Sequence, residues 1–257
     1  MISAKPTSSA AKSRAKLWVL AVSVFAIAIL GFALWRGTGQ ADVLRADPEA
    51  ILGNPKLRLV AIDGGKQVYQ SHCASCHGPA GKGDKTFGAP DFTDADHLYG
   101  TGTVAQTEDI ARYGIRAGNK HGWNLAVMPG YALKIPDAAE PLPPQSPAQI
   151  EDLIQYLLSF TGRATDVAAA QRGSIAYTKA GCWDCHGRDL GGDPAIGAPS
   201  LTDDLWLYGG RPEDLRHTLR RGRAGMSPAF GRTLTAAELR NVAVYVVSLA
   251  QTSQDKK

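Results

Sequence analysis

Apolar and polar positions divide this chain into one unbroken apolar run and a series of shorter amphipathic segments. The run, Leu17 to Trp35, follows Lys5, Lys12, Arg14 and Lys16, with no acidic side chain before it. As a helix rising ~1.5 Å per residue, its roughly nineteen residues nearly match a ~30 Å hydrocarbon layer. Trp18 and Trp35 stand where interfacial aromatics belong. A cleaved secretory signal is the competing reading, with Gly39-Gln40-Ala41 as its cleavage site, but the apolar core of a signal runs only ~7–15 residues. A retained transmembrane helix is therefore expected. Four basic residues before the span, and Arg36 alone close behind it, orient the N-terminus toward the cytoplasm.

Beyond this anchor the pattern turns to helical periods. Gly37 to Ala41 reads as a flexible lead, and Ala46-Asp47-Pro48-Glu49 as a helix start with Pro in its first turn. Arg58 to Ile62 leads on, and Gly65 opens a short helix that points Val68 and Tyr69 inward and ends at Cys73. Amphipathic segments around Glu108-Asp109-Ile110 and Glu213-Asp214-Leu215 stop near Gly114 and Gly222. Two capped helices follow. Ser146-Pro147-Ala148-Gln149 precedes Ile150, Leu153, Ile154 and Leu157, and Thr235-Ala236-Ala237-Glu238 precedes Leu239, Val242, Ala243, Val246 and Leu249. Their apolar stripes belong to a core. Pro136 to Pro147 reads as a semi-rigid surface loop, Thr161 to Gln171 as a short link, and Thr252 to Lys257 as a disordered tail.

These segments repeat. A single offset carries Cys73 onto Cys182, Gly88-Ala89-Pro90 onto Gly197-Ala198-Pro199, Thr93-Asp94 onto Thr202-Asp203, and Leu98-Tyr99-Gly100 onto Leu207-Tyr208-Gly209. Register kept over that length means two copies of one domain, with a capped helix closing each. The copies diverge where the first inserts Asn119 to Val127 before Met128-Pro129. The expected organisation is a cytoplasmic 1–16, a span at 17–35, a linker at 36–59, domains at 60–162 and 172–251 joined by 163–171, and the tail 252–257.

Charge changes the picture by exclusion. The chain holds 28 Lys and Arg against 24 Asp and Glu, but five of the basic residues sit at the anchor, which leaves 23 against 24 beyond it. Nucleic acid is not an implied partner.

Cysteine usage brings in the chemistry. All four cysteines fall in two motifs, Cys73-Ala-Ser-Cys76-His77 and Cys182-Trp-Asp-Cys185-His186. A thioredoxin-like pair or half of a zinc site also uses Cys-x-x-Cys, but neither requires the following His or a second copy. Two thiols on one helical turn suit thioethers to the two vinyl groups of a porphyrin, and the next residue then sits under the iron. Two covalently bound haem c groups are thus the expected cofactors, with His77 and His186 as proximal ligands. Besides Met1, the only methionines are Met128 and Met226, one per copy and each near a proline. That distribution predicts His/Met ligation, which fills both axial positions and suits electron transfer rather than bond chemistry. His121 and His217 compete as ligands but read as solvated, and His72 and His97 have no counterpart in the other copy. Tyr99 and Tyr208 recur in register, either to pack on a porphyrin edge or hydrogen-bond a propionate, or as loop anchors. Arg220, Arg221 and Arg223 form a basic cluster that meets propionates, an acidic docking partner or solvent.

The order of anchor, Ala-Asp-Pro-Glu lead and two motif-bearing copies resembles the two-haem subunit, CcoP or FixP, of cbb3-type haem–copper cytochrome c oxidases. The likeness covers residues 42–250. It is clearest in Gly197-Ala198-Pro199-Ser200-Leu201-Thr202-Asp203, in Trp206-Leu207-Tyr208-Gly209-Gly210, and in Gly222-Arg223-Ala224-Gly225 leading to Pro228-Ala229-Phe230-Gly231. The resemblance implies an all-α chain, with one N-terminal transmembrane helix followed by two tandem class I cytochrome c domains. It implies a bacterial inner-membrane location with the haem domains periplasmic. Electrons would come from a soluble or membrane cytochrome c, or from a quinol–cytochrome c reductase. They would pass to a one-haem cytochrome c subunit and on to the haem–copper catalytic subunit, and this chain would carry no catalytic residue of its own.

A freestanding membrane-tethered carrier for another periplasmic acceptor is the alternative. The family commonly has an acidic, Asn-Pro-Leu-Pro and Trp-rich segment ahead of its anchor, and residues 1–16 hold none of it. A two-haem cytochrome c peroxidase is a third reading. Carried over residue by residue, His77 and His186 match the family's proximal ligands, and Met128, before Pro129, matches a distal one. The family usually has Met directly before Pro-Ala-Phe-Gly, but here Ser227 holds that position and Met226 stands one residue earlier. Either the loop shifts register by one residue to bring Met226 to the second haem, or that haem lacks its normal distal ligand. With no other Met available, the shift is expected.

Overall fold

Helices begin in this chain where a side chain can accept hydrogen bonds from otherwise unpartnered amides. Asn54 accepts from the backbone N–H groups of Lys56 and Leu57 at 3.1 and 3.2 Å, with Pro55 in the first turn. Ser146 with Gln149 and Thr235 with Glu238 form the two expected capping boxes. The computed structural model describes residues 8–94, 96–134 and 142–254, with side chains from residue 17 onward except at 30, 32–36 and 252–254. Its helices are α1 (Ser8–Arg45), α2 (Pro55–His72), α3 (Ala74–His77), α4 (Val104–Tyr113), α5 (Pro147–Ser159), α6 (Val167–Lys179), α7 (Trp183–His186), α8 (Pro212–Arg221) and α9 (Ala236–Gln254), with a 3₁₀ turn at Pro48–Ala50. Among the described residues, β pairing is confined to isolated bridges. The all-α expectation holds.

Several boundaries differ from the expectation. The stretch 36–59 is not a free linker: α1 runs through to Arg45, and Val43 and Ile51 are fully buried. Glu49 caps α4 from a distance, its carboxylate accepting from the N–H groups of Val104 and Ala105 at 3.0 and 2.9 Å. α2 does not open at Gly65 but passes unbroken through Gly64 and Gly65. α9 continues to Gln254, and residues 255–257 of the expected tail lie outside the described residues, as do 135–141 of the Pro-rich loop. Among the described residues no helix is long and apolar enough to cross a membrane, and part of the expected span, residues 30 and 32–36, has no described side chain.

The main difference lies in which helices pack together. α2, from the first repeat, packs on α9, from the second, whereas α5, from the first, packs on α6, from the second. One core joins Val68 and Tyr69 of α2 to Leu239, Val242 and Tyr245 of α9. Another joins Ile150, Leu153, Ile154 and Leu157 of α5 to Ala176 and Tyr177 of α6 and to Leu215 and Leu219 of α8. Burying such a side chain fully is worth about 1.5–3 kcal/mol. At both crossings a glycine lets the backbones meet. A Cβ on Gly65 would lie 2.1 Å from the Asn241 carbonyl oxygen, and one on Gly173 would lie 2.1 Å from that of Asp152.

The packed units therefore do not follow the repeats. The second unit is contiguous, from the segment at Met128 to Arg223, and it is nested inside the first, which runs from the end of α1 to Ile115 and resumes at Ser227. The expectation that each capped helix closes its own repeat is corrected here. The short link between α5 and α6 makes them neighbours, as short helix–helix connections generally do.

Charges on the chain favour this exchange. Glu108 on α4 and Arg216 on α8 stand at the same distance before their helix-ending glycines, Gly114 and Gly222. Arg240 on α9 and Glu151 on α5 directly precede Asn241 and Asp152, the residues that meet Gly65 and Gly173. Exchanged packing pairs Glu108 with Arg240 and Arg216 with Glu151. Packing each helix within its own repeat would set Glu108 against Glu151 and Arg216 against Arg240. Like charges at both contacts disfavour that arrangement.

Candidate haem sites

The two Cys-x-x-Cys-His turns sit in closely matched surroundings. Tyr69 Oη donates to the Gly78 carbonyl and Tyr177 Oη to the Gly187 carbonyl, both at 2.7 Å, tying the helix before each motif to the turn after it. Burial holds both phenols well above their ordinary range. It also pushes the Cys73 and Cys182 thiols up to about 11. Such thiols stay protonated at neutral pH, the opposite of an activated redox pair. All four cysteines are free of disulfides.

Each imidazole is oriented by a carbonyl. His186 Nδ1 lies 2.9 Å from the Pro199 oxygen, and His77 Nδ1 lies 3.5 Å from that of Pro90. Burial lowers the pKa of both rings and so favours the neutral form. A neutral ring donating Nδ1–H to a carbonyl keeps Nε2 as a metal ligand. Two thiols and such an imidazole on one turn are the donor set a covalently held haem needs, so both sites fit the group. Phe92 stacks on His77 with 4.3 Å between ring centroids, and the sequence repeat puts Leu201, which has no ring, at the equivalent position in the second copy.

The distal segments are crossed. Met128 is half-buried against the core that contains Cys182, and Tyr131 is buried in that same core. Phe230 packs into the core that adjoins Cys73 and lies edge-on to His72. The backbone register of the two segments is equivalent at three points. Met128 pairs with Arg223, just after Gly222, as Ser227 pairs with Ile115, just after Gly114. Gly222 and Gly114 adopt φ of 73° and 74°, and a Cβ there would meet the carbonyl oxygens of Met128 and Ser227 respectively. Finally, Tyr131 N–H donates to the Leu219 carbonyl as Phe230 N–H donates to that of Ala111. Ser227 thus occupies the register of Met128. The expected one-residue shift is absent from this backbone, and Met226 is 69% exposed.

Tyr99 and Tyr208 also reach across. A Cβ on Gly197 would lie 2.1 Å from the Tyr99 ring, and one on Gly88 equally close to the Tyr208 ring. Each tyrosine therefore covers the loop after the other repeat's motif. Arg116, which the sequence did not single out, donates to the Gly225 and Ala126 carbonyls and to Tyr99 Oη at 2.6, 2.8 and 2.9 Å. Its signal was a repeated Arg-Ala-Gly, at 116–118 and 223–225. From the basic cluster, Arg223 stands over the Tyr208 ring at 4.0 Å and donates to Thr218 Oγ1. His121 and His217 are exposed.

Comparison with known proteins finds one match on each sequence repeat. The cytochrome c family matches residues 62–161, and the family described as cytochrome c oxidase, cbb3-type, subunit III matches 168–246. The cbb3-type cytochrome c oxidase subunit FixP of Azorhizobium caulinodans is 34% identical over 215 residues, 83% of this chain and 68% of that protein. The chain belongs to the CcoP/FixP family of cbb3-type cytochrome c oxidase subunits. The CcoP subunit of Cereibacter sphaeroides is 32% identical over 86% of this chain and 72% of its own length. That of Azospirillum brasilense is 36% identical over 78% and 66%. For a CcoP/FixP relative, covalently bound haem c follows from the cytochrome c domains.

Proposed function

We propose that this chain holds two haem c groups, one on Cys73, Cys76 and His77 and one on Cys182, Cys185 and His186, and relays electrons as a subunit of a cbb3-type cytochrome c oxidase. Its donor is a soluble or membrane cytochrome c, and its acceptors are a one-haem cytochrome c subunit and the haem–copper catalytic subunit. The observation that carries this reading is the duplicated turn in which a half-buried imidazole directs Nδ1 toward a proline carbonyl beside two free thiols. A haem c, once bound, supplies an iron that gains and loses one electron. The residues of the chain do the holding. The thiols anchor, the proline carbonyls fix which imidazole nitrogen is protonated, and Tyr99 and Tyr208 each cover the loop after the other repeat's motif.

The reading includes an anchor. Described side chains from Leu17 to Ile29 on α1 are exposed, Leu17 at 64% and Trp18 at 73%. An exposed apolar helix surface preceded by basic residues suits the bacterial inner membrane with the N-terminus cytoplasmic and the haem units periplasmic. Detergent extraction and affinity purification of the full chain test the whole proposal. The expected result is a membrane-derived complex containing a haem–copper subunit, with two haem masses on this chain. A chain recovered alone, from cells whose cytochrome oxidase activity is untouched by its deletion, would sink the oxidase role and favour the freestanding carrier.

A further inference from the structure

We infer that the two haem positions are crossed and unequal: Met128 serves the haem on Cys182, Cys185 and His186, whereas the haem on Cys73, Cys76 and His77 meets Ser227 and is open to a small neutral diatomic ligand such as carbon monoxide. This rests on the proposed covalent attachment of haem at both motifs. The sequence alone points to the other haem, because Met226 and Ser227 follow the second motif in the chain. Packing reverses that assignment. The segment containing Ser227 returns to the first unit, its N–H donating to the Ile115 carbonyl at 3.0 Å, and Phe230 behind it joins the core beside Cys73. Met128 leaves its own repeat and packs against the core that contains Leu215, Leu219 and Cys182.

The inequality follows from register. Ser227 holds the backbone position of Met128, and a neutral hydroxyl is not among the axial ligands that stable low-spin cytochromes use. Met226 falls one residue early, where the first copy has Val127, and both side chains face outward, at 69% and 55% exposure. A slip of one residue would have to break the paired hydrogen bonds between Ile115 and Ser227, at 2.9 and 3.0 Å, and pull Phe230 from the Ala111 carbonyl. Exchange itself is reinforced by charge, since unexchanged packing sets Glu108 against Glu151 and Arg216 against Arg240. A ferrous iron lacking a strong sixth ligand takes up carbon monoxide, whereas one with Met bound resists it.

The experiment uses the full chain matured with haem and reads covalent haem by mass, carbon monoxide uptake after reduction, and the near-infrared band of Met-ligated ferric haem. Wild type is expected to take up about one carbon monoxide per chain, Met128→Ala about two, and Ser227→Met essentially none, while Met226→Ala stays at about one. Removing one haem at a time identifies the sites. Cys182→Ala with Cys185→Ala is expected to keep uptake and lose the Met band, and Cys73→Ala with Cys76→Ala to do the reverse. If either pair fails to fold, proton NMR of the intact chain decides: contacts from the coordinated Met methyl to Leu215 and Leu219 support crossing, and contacts to Ile110 and Ala111 overturn it. Two Met-type bands with no uptake would mean that Met226 ligates, and would overturn the inequality with both haems in place. A mass without covalent haem would overturn the underlying reading as well.

Discussion

The two packed units have the same helices in the same order of contact, yet they secure the helix borrowed from the other repeat by different means. In the first unit, α9 is held by Glu108, 7% exposed, which lies between Arg112 and Arg240. In the second, α5 is held at the surface by Arg216 on Glu151 and by Arg172 on Asp152, the latter at 2.7 and 3.0 Å. The ion pair reverses direction between the units, and so does its burial. Duplication fixed the backbone geometry. The side chains that diverged afterwards decide which copy of a helix goes where and how much its loss costs.

Breaking the buried side of this comparison has the largest expected effect. Arg240→Glu leaves Glu108 buried beside a like charge and is expected to cost about 3–5 kcal/mol, read as a drop in the urea midpoint. Adding Glu151→Arg makes both exchanged contacts like-charged and both unexchanged ones complementary. Spin labels on α2 and α9 should then move apart, and unchanged distances would show that charge does not select the exchange. Next come the glycine crossings. Gly65→Val and Gly173→Val each push a side chain into a carbonyl, at about 1–3 kcal/mol apiece, and near-equal losses are expected because the two contacts match. Glu49→Ala removes the distant cap of α4 for about 1 kcal/mol and should soften only the first unit, seen as faster amide exchange in α4. Smallest is Arg216→Ala, below about 1 kcal/mol because the pair is solvent-screened. A loss as large as that of Arg240→Glu would contradict the contrast between the units.

Much of this was legible in the sequence. Both capping boxes, the helix-ending glycines and the twin Cys-x-x-Cys-His turns stand where their residues predict, because each is a local signal that involves residues a few positions apart. The choice of partner was not. A stripe such as Ile150, Leu153, Ile154 and Leu157 specifies that a face is buried but not against which of two similar helices. The reversed pairs Glu108–Arg240 and Arg216–Glu151 carry that information, but only once the helix register is known. The placement of Ser227 was equally hidden. Counting from Pro228 allowed either register, and only the paired hydrogen bonds to Ile115 choose between them.

Nesting one unit within the other has a consequence for how the chain is made. The second unit has all its parts once residue 223 has emerged, whereas the first cannot close until α9, Ala236–Gln254, has followed it out. Chains are delivered from the N-terminus, and domains fold as their parts become available. The motif that leaves the ribosome first therefore belongs to the unit that is finished last. Cys73, just after α2, and Cys76, on α3, wait longest for the helix that closes over their surroundings.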